Sequence, residues 1–337
     1  MKDYALEYIQ KLLSIPSPTG FTRAATDYLL ETLTALGFSP KRALKGGVSC
    51  ELGGEGNGLM LSAHVDTLGA MVRSVKGNGR IRYTHVGGWQ DATVETENCL
   101  VHTRDGRTYS ATVQSTKASQ HVYPGMGAEA RGEETLEIVL DEPVKTAQDV
   151  ENLGIETGCY ISWDPRTVLT ESGYLKSRHL DDKASAGVLL ALARMVAEKK
   201  ITLKRRVCIL FTVFEEVGHG CSMNLPEGIE DMLVVDMGCV GDDLKCDETM
   251  VSICVKDSAG PYHYEFTSEL ITAAKANGID YAADVYPSYS SDSATALKAG
   301  NDVRFALIGP GVFASHGYER THVKGIDNTC KLLLTQV

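Results

Sequence analysis

Apolar residues at Leu6, Ile9 and Leu13 recur at helical spacing through Asp3–Leu13, and the Pro16, Pro18, Gly20 cluster then stops that helix. A second helical pattern runs to about Leu36 and ends at Gly37. Val48–Leu52 and the continuous apolar run Leu59–Ala63 predict strands, the second of them buried on both faces in a covered sheet. From Gly69 to Pro165 the texture changes to short alternating strands broken by glycines, with Asp105-Gly106 as a hairpin signal. No helical pattern interrupts this stretch until Thr146–Leu153. Helix and strand then alternate: helix Lys183–Ala197, buried strand Val207–Val213, strand Met232–Val235, helix Glu269–Asn277, helix Ser293–Lys298, strand Val303–Ile308 and a terminal helix from Asp327.

This order predicts an α/β fold in which a sheet flanked by helices, residues 1–68 and 166–337, is interrupted by a small all-β, barrel-like domain, residues 69–165. The 337 residues suit about two domains at roughly 150 residues each. In such a sheet functional side chains gather where strands end, on their C-terminal side. His64 closes the run Leu59–Ala63, Glu215-Glu216 closes Val207–Phe214, and Asp236 closes Met232–Val235.

Charge narrows the function. With 33 Lys and Arg against 44 Asp and Glu, the net charge of −11 disfavours nucleic acid and anionic membrane surfaces. The longest apolar run, Gly187–Ala197, is broken by Arg194 and is too short to span a membrane, and the charged amphipathic N-terminus has no secretory pattern. Nine cysteines without a CxxC pair or regular spacing point to a reducing cytoplasm, where they serve as small buried hydrophobes.

Five segments place imidazoles or carboxylates at strand ends or turns: His64-Val65-Asp66, Leu180-Asp181-Asp182, Glu215-Glu216, Val235-Asp236 and Arg320-Thr321-His322. Each has an ordinary structural explanation by itself. His64 reads as a satisfied strand-end histidine, Asp181-Asp182 as a helix N-cap, Asp236 as a turn former, and His322 as a solvated loop residue. Two adjacent acids after a fully apolar strand are harder to explain so, because buried unpaired charge is costly. Together the segments form a set of N and O ligands that suits Zn²⁺, Co²⁺ or Mn²⁺ and leaves coordination open for water.

At these residues the chain resembles the M42 family of di-metal aminopeptidases, over nearly its whole length. SAHVDTLGAMV, RHLDDKASAGVLLAL, FEEVGHG, VVDMG and YERTH are similar to the family's metal-site motifs, and GGWQ and VHTRDG resemble segments of its inserted β domain. The resemblance implies two divalent ions per subunit, zinc first and cobalt or manganese as alternatives. Asp181 then bridges them, with His64 and Asp236 on one ion and Glu216 and His322 on the other. Glu215 becomes the general base, and Asp66 orients His64. The implied reaction is removal of the N-terminal residue of a peptide by a metal-bound hydroxide. The implied assembly is a homo-oligomer, from dimer to dodecamer, built through the β domain, with His121 in KASQHVYP a residue that a partner's site could use. The sequence departs from the family after His322, where Val-Lys-Gly replaces Ser-Pro, and His316 is a second imidazole six positions earlier. Two other readings are a di-metal deacylase acting on small N-acyl compounds, sharing the same ligands, and a non-catalytic relative. The inserted β domain argues against the first and the presence of Glu215 against the second.

Overall fold

The structure, a computed structural model, describes residues 1–337 with the exception of the Met126 side chain. The chain divides into two compact units, residues 1–66 with 166–337, and residues 67–165. The first unit opens with α1 (Lys2–Leu13), α2 (Arg23–Ala35), β1 (Lys41–Arg42), β2 (Val48–Gly53) and β3 (Gly58–His64). The second contains β4 (Gly69–Val75), β5 (Ile81–Val86), β6 (Asn98–His102), β7 (Thr108–Ser115), β8 (Leu136–Leu140), α3 (Ala147–Asn152) and β9 (Tyr160–Trp163). The first unit then resumes with β10 (Val168–Leu169), β11 (Tyr174–Ser177), α4 (Leu180–Ala197), β12 (Arg206–Thr212), β13 (Ile229–Val235), β14 (Gly238–Cys239) and β15 (Val251–Lys256). It ends with α5 (Tyr264–Ala276), β16 (Tyr281–Val285), α6 (Asp292–Lys298), β17 (Arg304–Val312), β18 (Glu319–His322) and α7 (Val323–Leu334).

Among the described residues of the first unit, the main sheet has the order β1-β2-β12-β3-β13-β17-β15-β16, with β14 beside β17. Its centre, β12, β3, β13 and β17, is parallel. Both faces are covered, which explains the nearly unbroken apolar runs: alternate residues of each strand feed two cores. Leu59, Leu61 and Ala63 of β3 join Val207, Ile209 and Phe211 of β12 under α1, α4 and α7, while Met60, Cys208 and Leu210 face the opposite core with Tyr262 and Tyr286. Residues 180–193, the first part of α4, are all buried. The α4 backbone lies so close to α1 that a Cβ on Gly187 would stand 2.4 Å from Ile9 Cγ1.

The second unit is a closed barrel, β4-β5-β8-β7-β6-β9, around its own core of Val72, Tyr83, Val101, Val113, Ile138, Ile161 and Trp163. The α/β class with an all-β barrel is therefore as the alternation of the sequence implies. Element ends differ in three informative places. Helix α5 starts at Tyr264, not Glu269, because His263 caps it by accepting the Phe266 amide. Strand β17 continues past Ile308 to Val312 through Gly309-Pro310-Gly311, a stretch that reads as a turn. Gly309 is required there, since a Cβ would fall 1.9 Å from the Asp236 carbonyl oxygen. Helix α7 begins at Val323, four residues before Asp327, capped by the His322 ring.

Candidate metal centre

Because β12, β3 and β13 are adjacent and parallel, their C-terminal ends deliver side chains to one edge of the sheet. His64 is the last residue of β3, Glu215 and Glu216 follow β12 in a short 3-10 turn, and Asp236 follows β13. Asp181 and Asp182 precede the helical part of α4 with non-helical backbone. His316 lies between β17 and β18. Non-glycine residues with positive φ flank these positions: His179 at 69°, Phe214 at 70°, Ala314 at 59° and His316 at 63°. Such conformations cost on the order of 1–3 kcal/mol each and persist only where the surroundings impose them. Their concentration here marks a place where side-chain direction outweighs local comfort.

The two oxygens of Asp181 face different imidazoles. His64 Nε2 stands 3.0 Å from Oδ1, and His316 Nε2 stands 3.4 Å from Oδ2. His316 Nε2 is also 3.6 Å from Glu216 Oε2, and His64 Nε2 is 3.9 Å from Glu215 Oε2. Donor atoms of His64, Asp182 and Asp236 lie within 4.8 Å of one another, as do those of His64, Asp181 and Glu216. The Nδ1 of His64 is 2.9 Å from the backbone oxygen of Asp66. A carbonyl only accepts, so Nδ1 carries the hydrogen and Nε2 is the nitrogen turned toward Asp181.

The Asp66 carboxylate has a second task. Fully buried, it accepts the Glu215 amide at 3.2 Å on Oδ1, and the Glu216 amide at 3.3 Å and the Thr19 hydroxyl at 2.7 Å on Oδ2. One residue thus sets the direction of His64 through its backbone oxygen and the position of both glutamates through its carboxylate.

Electrostatics points to cations. Burial, aided by the Asp181 charge, pushes Asp236 up to about 7 and Glu319 up to about 8. Burial likewise raises Asp182, Glu215 and Glu216 well above the usual carboxylate range, with neighbouring acids adding to it. Asp181 goes the other way: burial would raise it, but hydrogen bonds from His316 and His64 hold it below its ordinary value. For His64, burial opposes the charged form, and the contacts with Asp181 and Asp66 overcome it. Many acids sharing a dry pocket resist full ionisation unless a metal supplies positive charge. Glu216 Oε1 and Asp182 Oδ1 are moreover buried without a hydrogen-bond partner. Imidazole nitrogen and carboxylate oxygen, with oxygens to spare, fit a divalent ion.

Comparison with known proteins agrees with this chemistry. A family model described as M42 glutamyl aminopeptidase matches residues 46–332. The chain belongs to the M42 aminopeptidase family. The M42 chain is 44% identical over 330 residues to YhfE, a putative aminopeptidase of Bacillus subtilis, covering 97% of this chain and 95% of the relative. A TET aminopeptidase from Thaumarchaeota archaeon SCGC AB-539-E09 shares the fold at a TM-score of 0.89 and 18% identity, covering 98% of this chain and 95% of that one. The TET1 peptidase of Pyrococcus horikoshii, which assembles into a tetrahedron or a large octahedral shell, does so at a TM-score of 0.86 and 17% identity, covering 98% of both chains. This M42 protein is therefore an aminopeptidase, a hydrolase of peptide bonds, in a metal-dependent family, and it contains a His/Asp group that could hold metal.

Of the residues singled out from the M42 pattern, His64, Asp181, Glu215, Glu216 and Asp236 converge, and Asp66 lies directly beneath them. His322 does not join them. Its Nε2 meets the Ser172 backbone oxygen at 2.9 Å and its Nδ1 accepts the Lys324 amide at 3.1 Å, so both ring nitrogens are engaged in capping α7 and closing a turn. The imidazole facing Asp181 and Glu216 is His316. His121 lies in the exposed connection between β7 and β8. Asp182, named in the sequence only as part of its segment, accepts the His64 amide at 3.3 Å on Oδ2, and Glu319 escaped the sequence reading altogether. Glu319 had one visible sign, an acid between two histidines in HGYERTH.

Proposed function

We propose that the chain removes the N-terminal residue of peptides at a centre of two divalent ions shared by Asp181, with zinc the first choice and cobalt or manganese as alternatives. His64 and Asp236 would hold one ion, and Glu216 and His316 the other. The observation that carries this reading is the pair of imidazoles facing opposite oxygens of one buried carboxylate. When bound, the ions would polarise the scissile carbonyl and offset the crowded negative charge. Glu215, near His64 and fastened through its amide to Asp66, takes a proton from the attacking water. The water oxygen adds to the peptide carbonyl carbon, the C–N bond breaks, and Glu215 returns the proton to the departing amine. Burial that raises the proton affinity of Glu215 suits a group that must accept a proton and then release it.

We place the enzyme in the cytoplasm, a reading supported by nine unpaired cysteines, eight of them buried. No described helix is long and apolar enough to cross a membrane. The barrel unit, residues 67–165, is proposed to serve oligomerisation and substrate access. Exposed Val122 and Tyr123 beside His121 support that role by offering apolar contact surface. Metal-stripped protein assayed on a panel of aminoacyl-chromophore substrates, with Zn²⁺, Co²⁺ or Mn²⁺ added back, tests the reaction. Cleavage that survives complete metal removal would overturn it. Light scattering tests the assembly, for which a fully active monomer is the contrary result.

A further inference from the structure

Glu319, which belongs neither to the proposed ligands nor to the proposed proton path, is 2% exposed and opens strand β18. Its carboxylate is divided between two distant backbones. Oε2 accepts the Asp181 amide at 3.1 Å, and Oε1 accepts the His316 amide at 3.1 Å. Neither amide belongs to a helix or sheet ladder: Asp181 is a non-helical residue at the head of α4, and His316 has a left-handed φ of 63°. A buried amide without an acceptor is costly, so both depend on this one side chain.

We propose that Glu319 is a positioning residue of the metal centre, a two-ended clamp that fixes Asp181 against His316 and so sets the gap in which an ion binds. The inference rests on the metal-centre reading above. The clamp is built by the small sheet: Glu319 pairs with Ser177 across β11 and β18, and β11 runs directly into the segment that carries Asp181. The separation of 138 residues between Asp181 and Glu319 makes the contact purely tertiary. Two acceptor oxygens on one rigid plane tie the two backbones together, and the facing groups, Asp181 Oδ2 and His316 Nε2, are left 3.4 Å apart. A carboxylate is needed because glutamine has one acceptor oxygen, and its NH₂ group would meet the other amide donor to donor.

The experiment compares wild type, Glu319→Gln and Glu319→Asp after metal stripping. Zn²⁺ is titrated calorimetrically against a competing chelator, with the melting temperature of each metal-free protein and the kcat and KM of each reloaded protein measured alongside. Wild type should take up zinc. Glu319→Gln should bind it about 10–100-fold more weakly, the usual consequence of losing a partner that orients a ligand. Excess zinc should restore kcat with KM unchanged, and the metal-free melting temperature should fall only modestly, by the loss of one amide's acceptor. Glu319→Asp keeps both oxygens on a shorter arm and should lie between the two, which keeps the test informative if the glutamine variant does not fold. Zinc affinity equal to wild type in the variants overturns the clamp. So does a lowered metal-free melting temperature with activity that excess zinc fails to restore, the mark of a merely structural strut. Wild-type protein that takes up none of Zn²⁺, Co²⁺ and Mn²⁺ overturns the metal-centre reading itself, and the clamp with it.

Discussion

Strand β13 carries Asp231 near its start and is followed at its end by Asp236, and these two buried aspartates have opposite surroundings. Asp231 sits between two guanidinium groups, with Arg304 Nε at 2.7 Å and Arg205 Nη2 at 2.8 Å. Burial would raise its pKa, but hydrogen bonds from Arg304 and then Arg205 bring it below the ordinary value. Asp236, five positions on, faces Asp181, His64 and Asp292, and burial with the Asp181 charge lifts it to about 7. One end of the strand thus has its counter-charges built into the fold, while the other gathers carboxylates that stay hard to ionise in the protein alone. The contrast separates a structural acid from the acid proposed as a ligand: the structural acid should answer to folding measurements, the proposed ligand to metal.

The most severe way to break this contrast is to remove the proposed metal or the carboxylate proposed to share it. Chelation should reduce peptide cleavage to background, and Zn²⁺, Co²⁺ or Mn²⁺ should restore it. Elemental analysis of Asp181→Ala should find both ions lost. Retention of metal and activity by that variant would remove Asp181 from the centre.

Next in size is the division of labour between Glu215 and Glu216. Glu215→Gln keeps the shape but cannot take the proton of water, so metal content should persist while kcat falls by about 10²–10⁴. Glu216→Gln should lose metal affinity instead and regain activity in excess metal. The reverse pattern would exchange the two assignments.

At the structural end of β13, Asp231→Asn leaves two guanidinium groups without their carboxylate. It should cost about 2–3 kcal/mol of stability, below the range for a fully enclosed pair because Arg304 is partly exposed. Metal content and kcat should not change. Because the folded pKa lies below the unfolded one, the contribution of Asp231 is present above the unfolded value, about 3.9. It is lost as pH falls through the folded pKa. Chemical denaturation between about pH 5 and pH 2 should therefore show a steeper acid loss in wild type than in Asp231→Asn. Parallel curves would mean that the pair contributes nothing through ionisation.

The smallest effect concerns His322. Its replacement by Ala removes a helix cap and should lower stability by about 1 kcal/mol, with metal affinity unchanged. His316→Ala should show the converse, weakened metal binding on a stable fold. Metal loss in His322→Ala would reinstate it as a ligand.

The sequence alone determined much of this because burial in a parallel sheet leaves a plain record. Val207–Phe214 is apolar but for Thr212 and ends in Glu215-Glu216, and Leu59–Ala63 ends in His64, so strand ends and their polar cargo lie together in the chain. The barrel was legible for a related reason: period-2 alternation and glycine turns are local signals. Which of His316 and His322 would face Asp181 was not, because both lie in one polar segment without periodicity. It was decided by the left-handed turn at His316 and by α7 starting early enough to claim the His322 ring as its cap. The grip of Asp66 on Glu215 and Glu216 spans 149 and 150 positions, and that of Glu319 on Asp181 spans 138. Periodicity and propensity act over a few residues, whereas a hydrogen bond between remote segments exists only once the sheet has brought them together, so only the tertiary structure could assign those carboxylates their partners.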